Sequence, residues 1–129
     1  MVLREDADNN LSAMAGWTGL RPNVLARMGL CVSLEEPTIP NIDDYPADSD
    51  REFNRYTLTG EWDKLFIALL RQRCLEDDIE LEEENLIDQF KAHLNRGILL
   101  LSKRVKSHED LGRLVNLNLE EIEEDLEAA

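Results

Sequence analysis

The chain has 129 residues, 43% of them hydrophobic, and a formal net charge of −14. That length suits one compact domain with a single modest core. The sequence has no run of about 18 apolar residues, and its acidic start does not resemble a signal or transit peptide. We therefore expect a cytoplasmic protein without a membrane span. Acids outnumber bases 28 to 14, a balance that repels polyanions unless the bases are grouped. The acidity favours a halophilic host, with an acidic mesophilic protein as the alternative.

The first ten residues are mostly polar, and we expect residues 1–17 to form a partly mobile segment. The first predicted helix opens at Pro22, because proline suits the first helical position. It ends near Glu36, because the residue before a proline avoids the helical conformation. Its apolar face consists of Val24, Leu25, Met28, Cys31 and Val32.

A loop with three prolines and no base follows, from Pro37 to about Asp48. A connection this long in a small domain is either functional or an arm against a neighbour, unless it is an ordered surface connection. Ser49 and Glu52 have capping-box spacing, which predicts a short helix. The alternative is a brief extended piece at residues 55–58, and the sequence leaves both open.

The next predicted helix runs from about Gly60 to Leu75. Lys64 and Arg71 are seven residues apart and share one face, where they meet solvent or a ligand. Arg73 instead falls within the apolar face, so we expect a carboxylate partner in the acidic run 76–84; the alternatives are snorkelling past the helix end or crossing an interface. The apolar face consists of Trp62, Leu65, Phe66, Leu69 and Leu70.

A long last helix is predicted from about Glu84 to Val105, with Gly97 as a weak point that favours a kink. Residues 107–114 have the pattern of a further short helix. Residues 116–129 form an acidic tail that either frays or docks on a partner. The narrow apolar stripe of the long helix consists of Ile87, Phe90, Leu94, Ile98, Leu101 and Val105.

The bases are grouped along the chain, and residues 91–113 carry six of them against two acids. Arg96 and Lys103 point away from the apolar stripe. Together with bases of the preceding helix they predict a basic strip that binds DNA phosphates rather than reading bases. The alternative is a solvated helix face with local ion pairs. The predicted nucleic-acid-binding residues are Lys64, Arg71, Lys91, Arg96, Lys103, Arg104 and Lys106.

The sequence offers little support for catalysis. His93 and His108 are the only histidines and lie in no metal-binding motif, and His93 is expected to be exposed or in a polar contact. Cys31 and Cys74 fit buried free thiols, with a disulfide or redox pair as the alternative. No phosphate-binding loop or nucleophile motif is present. We expect no enzyme activity, no cofactor and no metal.

Four blocks of the sequence resemble the DndE-type proteins of DNA phosphorothioation: "TGLRPNVLARMGLCVSLEE", "PNIDDYP", "REFNRYTLTGEWDKLFIALLRQR" and "KAHLNRGILLL". The resemblance runs from about Thr18 to Val115. It implies a small, mostly helical, homotetrameric subunit that binds DNA, nicked duplex included. It also implies partner proteins that replace a non-bridging phosphate oxygen with sulfur. Some descriptions of the family imply a ribbon-helix-helix fold with a short N-terminal strand.

One departure from the family concerns the start of the chain. The segment "MVLREDADNNLSAMAGW" is acidic, and no lysine precedes Lys64, whereas the family starts with a basic strand and a lysine-rich helix. DNA contact has therefore moved to Arg21, Arg27 and the bases of the last helix, or the protein acts mainly through other proteins.

The predicted fold is mainly α, a compact single-domain helical fold, with a ribbon-helix-helix form implied only by the resemblance. Its parts are residues 1–17, a domain over 18–115 and the acidic tail. The predicted function is a non-catalytic accessory subunit of DNA phosphorothioation. The alternatives are a protein-assembly adaptor without DNA binding, a ribbon-helix-helix transcriptional regulator and an acidic DNA mimic.

Overall fold

The computed structural model describes residues 1–50, 52–106, 109 and 110. The fold is mainly helical, as predicted. Short 3₁₀ turns occupy Ile42–Asp44 and Gly60–Trp62. The α-helices of the described residues are α1 (Glu5–Thr18), α2 (Pro22–Glu35), α3 (Arg55–Thr59), α4 (Asp63–Glu76) and α5 (Glu83–Arg104).

The amino-terminal segment differs from the expected mobile start, because residues 5–18 form helix α1. Ala7, Leu11 and Met14 lie four and three residues apart and are fully buried, so one face of the helix packs into the core. Three acids in the first turn suit the positive end of the helix dipole. Gly19 ends the helix with φ of 75°, and its N–H donates to the carbonyl of Ala15. The polar composition of the segment concealed this buried face.

Helices α2 and α5 form the centre of the molecule, and their bounds agree with the predicted ones. They cross so closely that a Cβ on Gly97 would lie 1.8 Å from the carbonyl oxygen of Gly29. Gly97 thus permits a close backbone approach within a continuous helix. The buried surface of α5 is wider than the predicted stripe, because four consecutive residues at 92–95 are buried.

After residue 52 the structure has the short helix that was one of the two alternatives, but Asn54 caps it rather than Ser49, and residues 55–58 are helical rather than extended. Helix α3 begins after Asn54, whose side chain accepts hydrogen bonds from the N–H groups of Tyr56 and Thr57. Within the described residues, β pairing is limited to one antiparallel bridge between Val2 and Glu52. The strand of a ribbon-helix-helix fold is therefore not supported there.

The buried side of helix α4 differs from the apolar face predicted for it. Phe66, Leu70 and Cys74 are buried, whereas three other apolar residues form an exposed row along the helix. That row consists of Trp62, Leu65 and Leu69, which are 51%, 51% and 43% exposed. Single apolar residues on a surface are ordinary, but a contiguous row is typical of a protein–protein contact.

The described helices are too short or too polar for any of them to span a membrane. The short helix predicted at 107–114, His108 and the tail at 116–129 lie outside the described residues.

Candidate nucleic-acid interface

A groove between α4 and α5 brings together bases that the sequence places far apart. Arg55, Arg71 and Lys91 line it, from α3, α4 and α5 respectively, together with the acid Glu83 of α5, and its volume is about 550 Å³. Arg55 is not among the residues predicted from the sequence for this site. Only its position in the basic stretch 51–73 could have pointed to it. The apolar residues of the lining are Met1, Ile67, Leu70, Leu81, Leu86, Ile87 and Phe90.

The cations of this groove differ in how far they are already neutralised. Arg55 donates to both carboxylate oxygens of Asp63, at 3.1 and 3.2 Å. Lys64 lies on the face of α4 that carries Arg71, since seven residues make nearly two turns. Within the described residues, no ion pair involves Lys64, Arg71 or Lys91. We refer to these three as the groove bases.

A second basic group lies at the carboxyl-terminal end of α5. Lys103, Arg104 and Lys106 are exposed, and the Lys106 ammonium lies 5.2 Å from the ring centroid of Trp17. Lys103 is about 18 Å along the axis from Lys91, and about 120° around it. The two groups therefore do not lie in one straight row along α5. We refer to these three as the end bases.

Arg96 has intramolecular partners that the sequence did not predict, because its guanidinium bonds to the end of α2 and the loop that follows it. Its Nε donates to the Ser33 hydroxyl at 2.9 Å, and its two terminal nitrogens donate to the carbonyls of Ser33 and Thr38 at 2.9 and 2.8 Å. The last carbonyls of a helix have no partner within the helix, and Arg96 supplies one. Burial, followed by the nearby Arg73, lowers the pKa of Arg96.

Arg73 is buried in the same region, and its predicted carboxylate partner is confirmed. Its Nε lies 2.8 Å from the carboxylate of Asp77, one helical turn along. Its terminal nitrogens donate to the carbonyls of Leu34 and Thr38, at 3.0 and 2.6 Å. Two arginines thus hold the end of α2 and the start of the proline loop together. We refer to Arg73 and Arg96 as the loop clamp.

The loop itself is an ordered connection in this structure. The Arg4 guanidinium donates to the carbonyl of Asp44 at 3.1 Å, and the Gln89 amide donates to that of Pro40 at 3.2 Å. These contacts agree with one of the alternatives that the sequence left open for the loop, an ordered surface connection.

His93 has the polar contact expected for it, but it is fully buried. Its Nδ1 lies 2.8 Å from the Ser33 hydroxyl, which accepts a hydrogen bond from Arg96. Burial, followed by the positive charges of Arg96 and Arg73, lowers the His93 pKa to about 3. Ser33 and His93 have no exposed surface, so this pair has no access to a substrate and serves the packing of α2 on α5.

The two cysteines differ in their exposure to solvent. Both are free, and Cys74 is buried as predicted. Cys31 is exposed, contrary to the prediction, because it lies on the side of α2 that forms a cleft with Leu69 and Gln72 of α4. Partial burial and then Glu35 raise the pKa of the Cys31 thiol, which reduces its reactivity as a thiolate.

Comparison with known proteins decides the family. Residues 1–109 match the family described as DNA sulphur modification protein DndE. The chain belongs to the DndE family. It is also similar to a solved structure, "DndE from Escherichia coli B7A involved in DNA phosphorothioation modification". The two are 25% identical and superpose with a TM-score of 0.65, over 78% of this chain and 93% of that one. No curated protein matches the sequence.

Membership of the DndE family points to a role in DNA phosphorothioation, with DNA and other phosphorothioation proteins as the partners it suggests. The similarity to a DndE structure agrees with the mainly helical fold predicted from sequence.

Proposed function

We propose that this DndE-family protein is a non-catalytic accessory subunit of DNA phosphorothioation that binds the phosphates of duplex DNA, nicked duplex included. The observation that supports this is the placement of Arg71 and Lys91 in one groove, with Lys64 on the same face of α4 as Arg71. Among the described residues, none of the three forms a salt bridge. On a chain of net charge −14, such a local group is needed before a polyanion is attracted. Sulfur chemistry and nucleotide hydrolysis are assigned to the partner proteins.

Contact with phosphates rather than bases is favoured by the shape and composition of the site. Its cations are lysines and arginines on helix flanks and at a helix end, and such residues position a protein on DNA without reading its sequence. The end bases extend the contact along the strand. About five phosphate contacts predict a log–log salt slope near −4 to −5.

The test is DNA binding by the full chain, measured by fluorescence anisotropy on intact and nicked duplexes of one sequence at several salt concentrations. We expect affinity to fall with salt at the slope given above. Absence of binding at every salt concentration would contradict the DNA-binding proposal. Equal affinity for both duplexes would contradict a preference for nicks.

A matched pair of variants distinguishes the contribution of the groove to DNA binding from that of the overall net charge. Arg71→Gln and Gln72→Glu each lower the net charge by one at neighbouring, exposed positions, but Gln72 faces the cleft with α2. Combining Arg71→Gln with Lys91→Gln should reduce the salt slope by about 2. Gln72→Glu should leave the slope unchanged. Equal changes in DNA binding for Arg71→Gln and Gln72→Glu would contradict the groove as the DNA-binding site.

The exposed row of α4 favours a second role, in assembly. Trp62, Leu65 and Leu69 provide an apolar surface suited to another copy of the chain, in a homo-oligomer such as a tetramer, or to a phosphorothioation partner. Leu65→Lys with Leu69→Lys should reduce the mass measured by light scattering or abolish co-purification with partners. Unchanged mass and unchanged co-purification would refute this role.

A further inference from the structure

Trp17, at the end of α1, is a large aromatic residue that plays no part in the groove between α4 and α5. It is 49% exposed, and the Lys106 ammonium lies over its ring, 5.2 Å from the ring centroid. A contact of this kind at an exposed site is weak, so it does not explain why the indole is held at the surface. The accessible part of the ring is available to a ligand.

The charges of α1 and α5 make both helices acidic where they begin but not where they end. α1 has its three acids in the first turn, and residues 9–18 carry no charge. α5 begins with two acids and ends with two of the end bases. The two helices run in the same direction, because the Arg4 N–H donates to the Asn95 amide oxygen and Trp17 meets Lys106 further along both. The indole therefore lies at the basic end of this pair of helices.

The end bases outnumber the acids next to them in the chain. Lys103, Arg104 and Lys106 are exposed, and no salt bridge involves them within the part of the chain that the structure describes. The neighbouring acids are Glu109 and Asp110, and the Asp110 carboxylate accepts a hydrogen bond from the Lys106 backbone N–H at 2.8 Å. Three cations against two acids leave a net positive charge beside the indole.

An unpaired nucleotide matches this arrangement. Aromatic side chains bind single-stranded nucleic acid by stacking on its bases, while cations beside them follow the phosphates. In a duplex each base is already stacked between its neighbours, so its face is not available to the indole. The ring and the end bases together therefore favour a strand with unpaired bases over an intact duplex.

We propose that Trp17 and the end bases form a binding site for single-stranded DNA. The indole stacks on one unpaired base, and Lys103, Arg104 and Lys106 contact the phosphates that flank it. The site deepens the proposed function and rests on it, because it keeps the end bases as phosphate contacts and names the form of DNA that they bind. DNA with an unpaired stretch beside a duplex engages Trp17 and the groove bases together.

Tryptophan fluorescence tests the stacking directly, because the chain has two tryptophans, Trp17 and Trp62. Trp62→Phe leaves Trp17 as the reporter, and Trp17→Phe leaves Trp62 as the matched control on another helix. We expect a thymidine oligonucleotide to quench Trp17 emission and leave Trp62 emission unchanged, whereas a blunt duplex binds without quenching Trp17. Binding of a labelled oligonucleotide, detected by anisotropy, without quenching of Trp17 would overturn the proposal. Equal quenching by the blunt duplex would also overturn it.

Affinity distinguishes stacking from a purely structural role of Trp17. Trp17→Ala should weaken binding of the oligonucleotide by about tenfold, whereas Trp17→Phe, which keeps an aromatic ring, should retain most of the affinity. Both variants should leave the affinity for blunt duplex unchanged. Equal losses on the two forms of DNA would show that Trp17 only holds α1 against α5, and the proposal would fail.

The groove variant Arg71→Gln with Lys91→Gln provides the complementary control. It should weaken binding of blunt duplex and leave the quenching of Trp17 by the oligonucleotide intact. Binding of the single strand that depends on Trp17, in a chain that does not bind blunt duplex, would support this site and contradict the groove. Binding of blunt duplex without any affinity for the oligonucleotide, at every salt concentration, would support the groove and overturn this site.

Discussion

At the scale of single residues, the role of each base depends on what lies opposite it. Lys91 and Arg96 are five residues apart on α5, yet Lys91 lines an open groove and Arg96 bonds to the carbonyls of Ser33 and Thr38. Both are partly exposed bases in a basic segment. The difference lies in the neighbour: α4 leaves a groove beside Lys91, whereas the end of α2 and the loop after it present carbonyls that accept hydrogen bonds from Arg96.

Replacing Arg96 should therefore affect stability more than DNA binding. Arg96→Ala removes donors to the Ser33 hydroxyl and to the carbonyls of Ser33 and Thr38. We expect the free energy of unfolding to fall by about 2–4 kcal/mol. Arg104→Ala, at an exposed position of the same helix, should change it by less than about 0.5 kcal/mol. Urea unfolding of both variants measures this. Similar small losses in the two would contradict the clamp.

His93 makes stability depend on pH. Its folded pKa of about 3 lies below the unfolded value of about 6.5, so the unfolded chain binds the proton more readily. Stability is therefore lost as the pH falls below 6.5, and the loss ends near pH 3. Relative to His93→Gln, which cannot titrate, the wild type should lose about 2 kcal/mol between pH 7 and pH 5. A parallel pH dependence of the two proteins would refute this.

The His93 imidazole signal offers an independent check by NMR. The ring should remain neutral at pH 5, because burial and two nearby guanidinium groups oppose its charge. A His108→Gln variant assigns the two histidine signals. Titration of the His93 signal near its ordinary pKa would show that the ring is not enclosed as described.

At the scale of elements, the contact between α2 and α5 organises the fold. Both helices follow from periodicity and proline positions in the sequence. Their closeness does not, because it depends on Gly29 in one helix meeting Gly97 in the other. A Cβ at Gly29 would lie 2.9 Å from two backbone atoms of α5, so each helix excludes a side chain from the other. The glycine that weakens an isolated helix is therefore the residue that permits the packed pair.

Gly97→Ala should separate the two helices. The added carbon meets backbone rather than a movable side chain, so we expect a loss of about 3 kcal/mol or more in the free energy of unfolding. Gly16→Ala is the matched control, since its Cβ meets nothing within 4 Å and alanine is favoured within a helix by about 0.5–1 kcal/mol. Thermal or urea unfolding compares them. A tolerated alanine at 97 would contradict the close crossing.

At the scale of the whole molecule, the excess of acids governs the response to salt. A net charge of −14 on 129 residues destabilises a compact state through self-repulsion, which salt screens. We expect the melting temperature to rise from low to multimolar KCl, as a halophilic protein requires. A melting temperature that falls on adding KCl would remove the halophilic interpretation. DNA binding should weaken over the same range, because counterion release opposes it.

The sequence by itself indicated the helical class, the bounds of α2 and α5, and a carboxylate partner for Arg73 in the acidic run 76–84, because periodicity, proline positions and charge order are local properties. It missed α1, whose buried apolar residues Ala7, Leu11 and Met14 stand in a largely polar segment. From the sequence, Arg96 was placed among the DNA-binding bases. Trp62, Leu65 and Leu69 were placed on the apolar face, although they are exposed in the structure. Tertiary structure alone decided these points, because whether a side chain meets solvent, a groove or a helix end depends on which element packs against it.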